Sequence, residues 1–303
     1  MEGLACRTGK GARLPAEDSL REASRGEASC SVVLLGTGTP NAEPDRSGPS
    51  VAMVAGDTPY IVGCGPGVVR RATAAQAAGI EALEPKKLTR LFLTHLHSDH
   101  TAGYPDLIVT LWVLDRSEPL VVYGPPGTEA MTERILTAYS EDIRDRLSGL
   151  EPIEAGGHLV QAHGIEPGVV YEDGKVTVEA FAVVHGSLPS FGFKFQTPDR
   201  TIVISGDTAP TEALVEASRG CDVLIHEVYS ATAFEQLPSD WRRYHSSMHT
   251  SIRELAQIAS RARPGLLILY HGLFWGQTEE ELLWEIRSGY DGEVVLGKDL
   301  EVY

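Results

Sequence analysis

Residues 95–100 constrain this chain more than any other segment, because they place three histidines and one aspartate within six residues. The segment directly follows the apolar residues 91–93. Its metal-binding side chains are His95, His97, Asp99 and His100. Imidazole and carboxylate groups are good ligands for Zn²⁺ and similar ions, and an ordinary surface turn seldom carries so many of them. The segment therefore predicts a metal site at the end of a buried strand.

Three more polar residues stand at the same kind of position, the exit of an apolar run. His185 follows residues 181–184, Asp207 lies shortly after residues 201–204, and His271 follows residues 266–270. Each one alone is more typical of a turn or cap than of a metal ligand. Together with the histidine-rich segment, they predict a site with enough ligands for two ions.

Apolar runs typical of strands alternate with amphipathic stretches typical of helices, which predicts an α/β protein. The pattern predicts helices over residues 68–78, 104–114, 127–139, 250–261 and 278–288. Thr250 is the predicted N-cap of the fourth helix. We expect residues 111–116 and 274–275 to shape the substrate pocket. The spacing of these elements predicts no more than the α/β class.

Composition restricts the class of protein and its compartment. The net charge of −16 argues against an enzyme for nucleic acid, whose phosphates are usually met by Lys and Arg. Four scattered cysteines favour a reducing compartment, and no apolar run is long enough to cross a membrane. We therefore predict a cytoplasmic protein, with a polar, flexible extension over residues 1–30 and a single catalytic domain over residues 31–303.

Residues 95–100 match the H-x-H-x-D-H signature of the metallo-β-lactamase superfamily. Several flanking segments resemble one branch of it, ribonuclease Z and its arylsulfatase-like relatives. These segments are residues 35–40, 64–65, 123–125, 185–193, 205–208, 226–227 and 249–271. The resemblance covers residues 31–303 and implies a four-layer αβ/βα sandwich.

The resemblance also implies roles for the seven ligand-type residues. His95, His97 and His185 would hold one zinc ion. Asp99, His100 and His271 would hold a second, and Asp207 would bridge the two, with a hydroxide between them. Two metal ions lower the pKa of such a water molecule and polarise the group that it attacks.

Three catalytic roles follow from the same resemblance. Asp99 would also orient the attacking water. His249 matches a histidine that protonates the leaving group or stabilises the transition state, and His245, four residues earlier, is the competing candidate. Glu227 would be the carboxylate that orients a metal-binding or catalytic histidine.

The chain departs from the branch at two positions. Relatives carry an acid before the Cys-Gly pair, where this chain has Gly63, so we expect one metal ion to be held more weakly unless only glycine fits there. Ribonuclease Z also carries a long basic arm that grips tRNA, whereas residues 195–200 leave room only for a tight turn. This difference favours a small substrate.

These observations predict a dizinc hydrolase of a small ester, a phosphodiester or an aryl sulfate, with Mn²⁺ or Fe²⁺ as alternative ions. A tRNA 3′-end endonuclease is the alternative, which a basic patch beside the site would favour. An iron-dependent oxidoreductase and a non-catalytic binding relative are alternatives of other classes, although the complete ligand set argues against the latter. A homodimer is expected because relatives are often dimers.

Overall fold

The computed structural model describes residues 30–303. The flexible extension predicted over residues 1–30 therefore lies outside the described residues, except for Cys30. Within the described range, Cys30, Cys64 and Cys221 are buried free thiols. No helix in this part of the chain combines the length and apolar character that a membrane crossing requires.

Within residues 30–303, thirteen strands form two sheets, and the first sheet contains β1 to β6 in sequence order. Their bounds are Ser31–Gly36, Ser50–Ala55, Thr58–Val62, Arg90–Phe92, Leu120–Gly124 and Val160–Gly164. The strands β1 to β3 are antiparallel, and β3 to β6 are parallel.

The second sheet runs from β13 at one edge to β7 at the other, again in sequence order. The bounds of β7 to β13 are Gly168–Glu172, Thr177–His185, Leu188–Gln196, Thr201–Ile204, Val223–Tyr229, Leu266–Leu273 and Val294–Leu296. The strands β7 to β10 are antiparallel, and β10 to β13 are parallel. Each half of the molecule thus joins an antiparallel unit to a parallel one.

Ten α-helices, α1 to α10, accompany the sheets within residues 30–303. Their bounds are Val68–Ala77, Ser98–Thr101, Tyr104–Val113, Thr128–Ala138, Ser140–Ser148, Glu212–Ser218, Ala231–Phe234, Ser239–Met248, Ile252–Ala262 and Glu279–Arg287. Four of the five predicted helices are confirmed to within one residue at each end. The helix predicted over residues 250–261 begins two residues later than predicted, because its N-cap is Ser251 and not Thr250.

Among the described residues, three layers of apolar side chains lie between the sheets and helices of a sandwich, one between the two sheets and one on the outer face of each sheet. Side chains alternate along β1, so that Val32 and Leu34 pack between the sheets while Val33 and Leu35 pack against helices. The layer outside the first sheet contains residues of α1 and α3, and the layer outside the second sheet contains residues of α6, α9 and α10. The predicted four-layer αβ/βα sandwich is confirmed.

The parallel strands bring their carboxyl ends to one edge of the sandwich. In open α/β sheets this edge is where ligands bind, because the loops that leave neighbouring strands converge there. The strands β4 and β10 end shortly before residues 95–100 and Asp207, and Glu227 and His271 lie within the last three residues of β11 and β12.

Candidate metal centre

The histidine-rich segment is held in place by backbone contacts with the segment that follows β3. The N–H of Cys64 donates to the carbonyl of His100 at 2.8 Å, and the N–H of Gly103 donates to the carbonyl of Cys64 at 2.9 Å. A Cβ atom on Gly65 would lie 2.7 Å from the carbonyl oxygen of Asp99. This close approach requires glycine at position 65. Together with the two hydrogen bonds, it fixes the backbone of the histidine-rich segment.

The structure brings all seven predicted ligands together in two adjacent sets. One set contains His95, His97 and His185, and the other contains Asp99, His100, Asp207 and His271. In each set the candidate ligand atoms all lie within 4.8 Å of one another. The first set combines the loop after β4 with the last residue of β8, and the second combines the same loop with the exits of β10 and β12.

Asp207 lies between the two sets. Its Oδ1 is 3.2 Å from Nε2 of His100, and its Oδ2 is 4.0 Å from Nε2 of His95. Gly206 makes the turn before it with φ of +62°, where a Cβ atom would lie 2.9 Å from Cβ of Thr94. Asp207 therefore approaches histidines of both sets, while its role as a bridge stays a prediction.

Four side-chain atoms of the seven ligand-type residues are buried without a hydrogen-bond partner among residues 30–303. They are Nε2 of His95, Nε2 of His100, Nδ1 of His271 and Oδ1 of Asp207. The approach between His100 and Asp207 lacks hydrogen-bond geometry. A buried polar atom without a partner costs about 1–3 kcal/mol. A divalent cation in each set would give partners to Nε2 of His95, Nε2 of His100 and Oδ1 of Asp207. Nitrogen and carboxylate ligands at a buried site fit Zn²⁺.

Burial and neighbouring charges shift the pKa values of the ligand groups of this centre in different directions. Burial lowers the pKa of His95 well below its usual range and that of His185 to about 4, so both imidazoles are neutral near pH 7 and able to bind a metal. Burial would raise the pKa of Asp207, but His100 and His271 outweigh it and lower that pKa. Burial would also lower the pKa of His271, but Asp207 and Asp99 outweigh it and raise that pKa to about 9.

His249 and Glu227 form a buried pair beside the metal sets. Nδ1 of His249 lies 3.2 Å from Oε1 of Glu227, and the same oxygen accepts hydrogen bonds from the N–H groups of Thr208 and Thr250, each at 3.1 Å. Thr250 also donates its hydroxyl to the carbonyl of Thr208, and the N-cap of α9 is the next residue, Ser251, whose hydroxyl accepts from the N–H of Glu254. His245 lies farther out, with its ring 5.6 Å from that of His249.

An aromatic pocket of about 470 Å³ opens beside this pair. Its inner wall contains His249 and His271, and its outer wall contains Trp241, Tyr244 and Trp275. Trp275 confirms part of the expectation for residues 274–275. The expectation for residues 111–116 is wrong, because Leu111 and Trp112 are buried in the core and Arg116 donates to backbone carbonyls.

The sequence patterns predicted no element over residues 231–249, and so missed α8 and its aromatic residues. Only His245 and Met248 of this helix are buried, which leaves no apolar stripe to detect. The run Trp241 to Tyr244, with two arginines between two aromatic rings, is the signal that could have pointed to it.

The structure gives a physical reason for Gly63. Its φ is +73°, and a Cβ atom there would lie 2.9 Å from the carbonyl oxygen of Pro49. The expectation of a lost carboxylate therefore gives way to its alternative, that the backbone requires glycine. The tight turn between β9 and β10 is confirmed, with the N–H of Thr197 donating to the carbonyl of Arg200.

Comparisons with known proteins agree with this geometry. The family described as "Beta-lactamase superfamily domain" matches residues 58–272. A ribonuclease Z of Mycobacterium bovis is 33% identical over 280 residues, which cover 89% of this chain and 96% of that protein.

Two crystal structures share the fold. The metallo-β-lactamase fold protein YhfI from Bacillus subtilis has a TM-score of 0.68 and 18% identity, covering 90% of this chain and 98% of that one. Human tRNase Z, short form, has a TM-score of 0.67 and 23% identity, covering 90% of this chain and 98% of that one.

The length of the alignment indicates whether the mycobacterial ribonuclease Z has room for the long tRNA-gripping arm that residues 195–200 of this chain lack. The alignment with the mycobacterial protein has 280 positions and takes in 89% of this chain, or about 270 of its 303 residues. That protein therefore has room for insertions of only about ten residues in total within the aligned region. The aligned region therefore leaves no room for a long arm in that protein, so the tight turn at residues 195–200 does not separate this chain from a protein named ribonuclease Z.

Proposed function

Since the chain belongs to the β-lactamase superfamily and to its ribonuclease Z branch, we propose that this metal-dependent hydrolase cuts a phosphodiester bond at the 3′ end of a precursor tRNA. This ranking reverses the expectation from charge and arm length, which had put a small ester first. The relatives favour phosphoester chemistry, and aryl sulfate is not part of the proposal.

The observation that carries the proposal is full-length similarity to a ribonuclease Z together with a complete set of converging ligands. The mycobacterial relative is covered over 96% of its length, and seven ligand-type residues converge within two sets. A binding protein that had lost catalysis would have no need to keep two buried sets of ligands beside a paired histidine and carboxylate.

His95, His97 and His185 would hold one ion, and Asp99, His100 and His271 would hold the other, with Asp207 shared. Zn²⁺ suits these ligands best, with Mn²⁺ or Fe²⁺ as alternatives. When bound, the two ions would lower the pKa of a water molecule and neutralise charge on the phosphate.

The remaining steps belong to side chains of this chain. The carboxylate of Asp99 is 10% exposed and lines a second pocket together with Pro40 and Ser98, so it can accept a hydrogen bond from the attacking water, orient it and take up its proton. The water oxygen bonds to phosphorus as the bond from phosphorus to the leaving oxygen breaks. Glu227 accepts a hydrogen bond from Nδ1 of His249 and would stabilise the doubly protonated ring, whose Nε2–H can then pass its proton to the leaving oxygen.

A small phosphodiester is the second candidate substrate, favoured by the net charge of −16. Charge of this sign weakens association with a polymer of phosphates. The homodimer remains a prediction, which light scattering after size-exclusion chromatography would check.

The test is a comparison of two substrates with metal-loaded protein. We expect a single cut near the 3′ end of a precursor tRNA, with a rate that falls steeply as salt is added. Bis-p-nitrophenyl phosphate should be cut more slowly and with little salt dependence. Efficient hydrolysis of the small diester without any cut in the tRNA would move the assignment to the second candidate.

A further inference from the structure

The aromatic pocket joins the metal centre to the exposed face of α8. Its inner wall carries His249 and His271, so any group that fills the pocket lies against the predicted proton donor. At about 470 Å³ it falls within the range of small-ligand sites, roughly 300–1,000 Å³.

The outer wall exposes large aromatic rings that the fold leaves without a covering layer. Trp241 is 55% exposed and Tyr244 is 42% exposed. The ring of Trp241 is stacked at 5.6 Å on His245, which in turn meets Trp275 edge-on at 4.7 Å. Flat rings therefore face the pocket from α8 and from the loop after β12.

We propose that this pocket stacks a nucleobase of the RNA, the base of the nucleotide that supplies the leaving oxygen. The inference rests on the proposed function, because it takes the substrate to be RNA and His249 to be the proton donor. Unpaired bases at RNA ends are commonly held by stacking on aromatic side chains.

The charge on α8 fits the same occupant. Arg242 follows Trp241 directly and is exposed, and no carboxylate within residues 30–303 forms an ion pair with it. In a chain of net charge −16, an exposed guanidinium one residue from Trp241 can contact the phosphate of a bound strand.

The test pairs a change in the protein with a change in the substrate. Trp241→Ala should lower kcat/KM for precursor tRNA about 5- to 100-fold, the range expected for one stacked base. On the same tRNA with an abasic site at the nucleotide that supplies the leaving oxygen, the variant and the unaltered protein should differ less than about twofold. Trp241→Phe should keep most of the rate on both substrates.

Trp284→Ala is the matched control, because Trp284 is 73% exposed on α10 and outside the pocket; it should leave both rates unchanged. An equal loss on the normal and abasic substrates, or no loss on either, would overturn the stacking assignment. Trp241→Phe and thermal melting guard against a folding defect in the alanine variant.

A binding measurement separates failure of this inference from failure of the proposed function. In chelator-treated protein, a single-stranded oligoribonucleotide with 2-aminopurine at its 3′ end should show quenched fluorescence on binding, and Trp241→Ala should remove that quenching. If the unaltered protein does not cut tRNA but still quenches the probe through Trp241, the pocket assignment stands and the tRNA assignment falls. If the protein cuts tRNA while the alanine variant quenches the probe normally, the reverse holds.

Discussion

The two halves of the molecule contribute to the metal centre in different ways. The first half supplies His95, His97, Asp99 and His100 from one short segment, the loop after β4 and the helix α2 that follows it, whereas the second half supplies its three ligands from the separate carboxyl ends of β8, β10 and β12. The first arrangement depends on local backbone geometry. The second depends on the register and order of the strands, so it forms only when the whole second sheet is assembled.

This difference explains which part of the site is visible in the sequence. Four ligand-type residues within one loop indicate a metal site on their own, because chance rarely puts them so close together. His185, Asp207 and His271 are lone polar residues at strand exits, each more typical of a turn when taken alone; the histidine-rich segment made them candidate ligands, and the resemblance to a family gave each its individual role. The structure adds the physical cause, since these exits lie at one edge of the sandwich.

The largest expected effect distinguishes the shared ligand from a ligand of one set. Asp207→Ala should reduce the metal content to well below one ion per chain and abolish activity, because Asp207 approaches both sets. His97→Ala, in the first half, should keep close to one ion because the second set stays complete. Elemental analysis after metal loading and desalting measures both. Equal metal loss in the two variants would contradict the bridging role.

A smaller loss of activity is expected for a residue of the second half that takes part in the reaction without binding metal. His249→Ala should retain two ions per chain and lower kcat by about 10²- to 10⁴-fold, the usual scale for a general acid. His245→Ala is the variant to compare with His249→Ala in metal content and kcat, because the ring of His245 lies beside that of His249 without contacting Glu227. A variant at position 249 that also loses metal would show that this histidine is a ligand.

A further prediction concerns the carboxylate behind His249. Glu227→Gln keeps an oxygen for the N–H groups of Thr208 and Thr250 but replaces the carboxyl group that partners His249 with an amide, so activity should fall about 10- to 100-fold with little change in fold. Glu285→Gln is the control, since Glu285 is a buried carboxylate in the same half, bonded to Thr232 and Arg253. The two variants should differ in kcat and agree in metal content.

The smallest effect tests the support of the first-half loop. Gly63→Asp should lower the free energy of unfolding by about 1–2 kcal/mol for the left-handed backbone, and by a further amount of about 1–3 kcal/mol for the contact with Pro49. Gly56→Asp has a similar φ, +63°, with nothing within 4 Å of the added Cβ, so it should show the backbone cost alone. Thermal melts of metal-free protein compare the two. Tighter zinc retention in Gly63→Asp with an unchanged melting temperature would favour the lost carboxylate instead.

Most strands were predictable because apolar runs buried on both faces leave a clear pattern, as in residues 223–225 and 266–270. Features that depend on tertiary contacts could not be predicted from the sequence. Thr250 has the composition of an N-cap, yet its hydroxyl is bonded to Thr208 in a distant loop. The helix α8 buries only two side chains, so its position over the metal centre has no counterpart in hydrophobic periodicity.

The spacing of the ligands along the chain has a consequence for the order of folding. His95 and His271 are 176 positions apart, and contacts between such distant residues form late, because the loop between them must first be closed. A nascent chain that has released only its first half would present the ligand loop without its partners from the second sheet. Metal capture would then follow the docking of the two sheets, and the ions would act on the unfolding rate of the finished protein more than on its rate of folding.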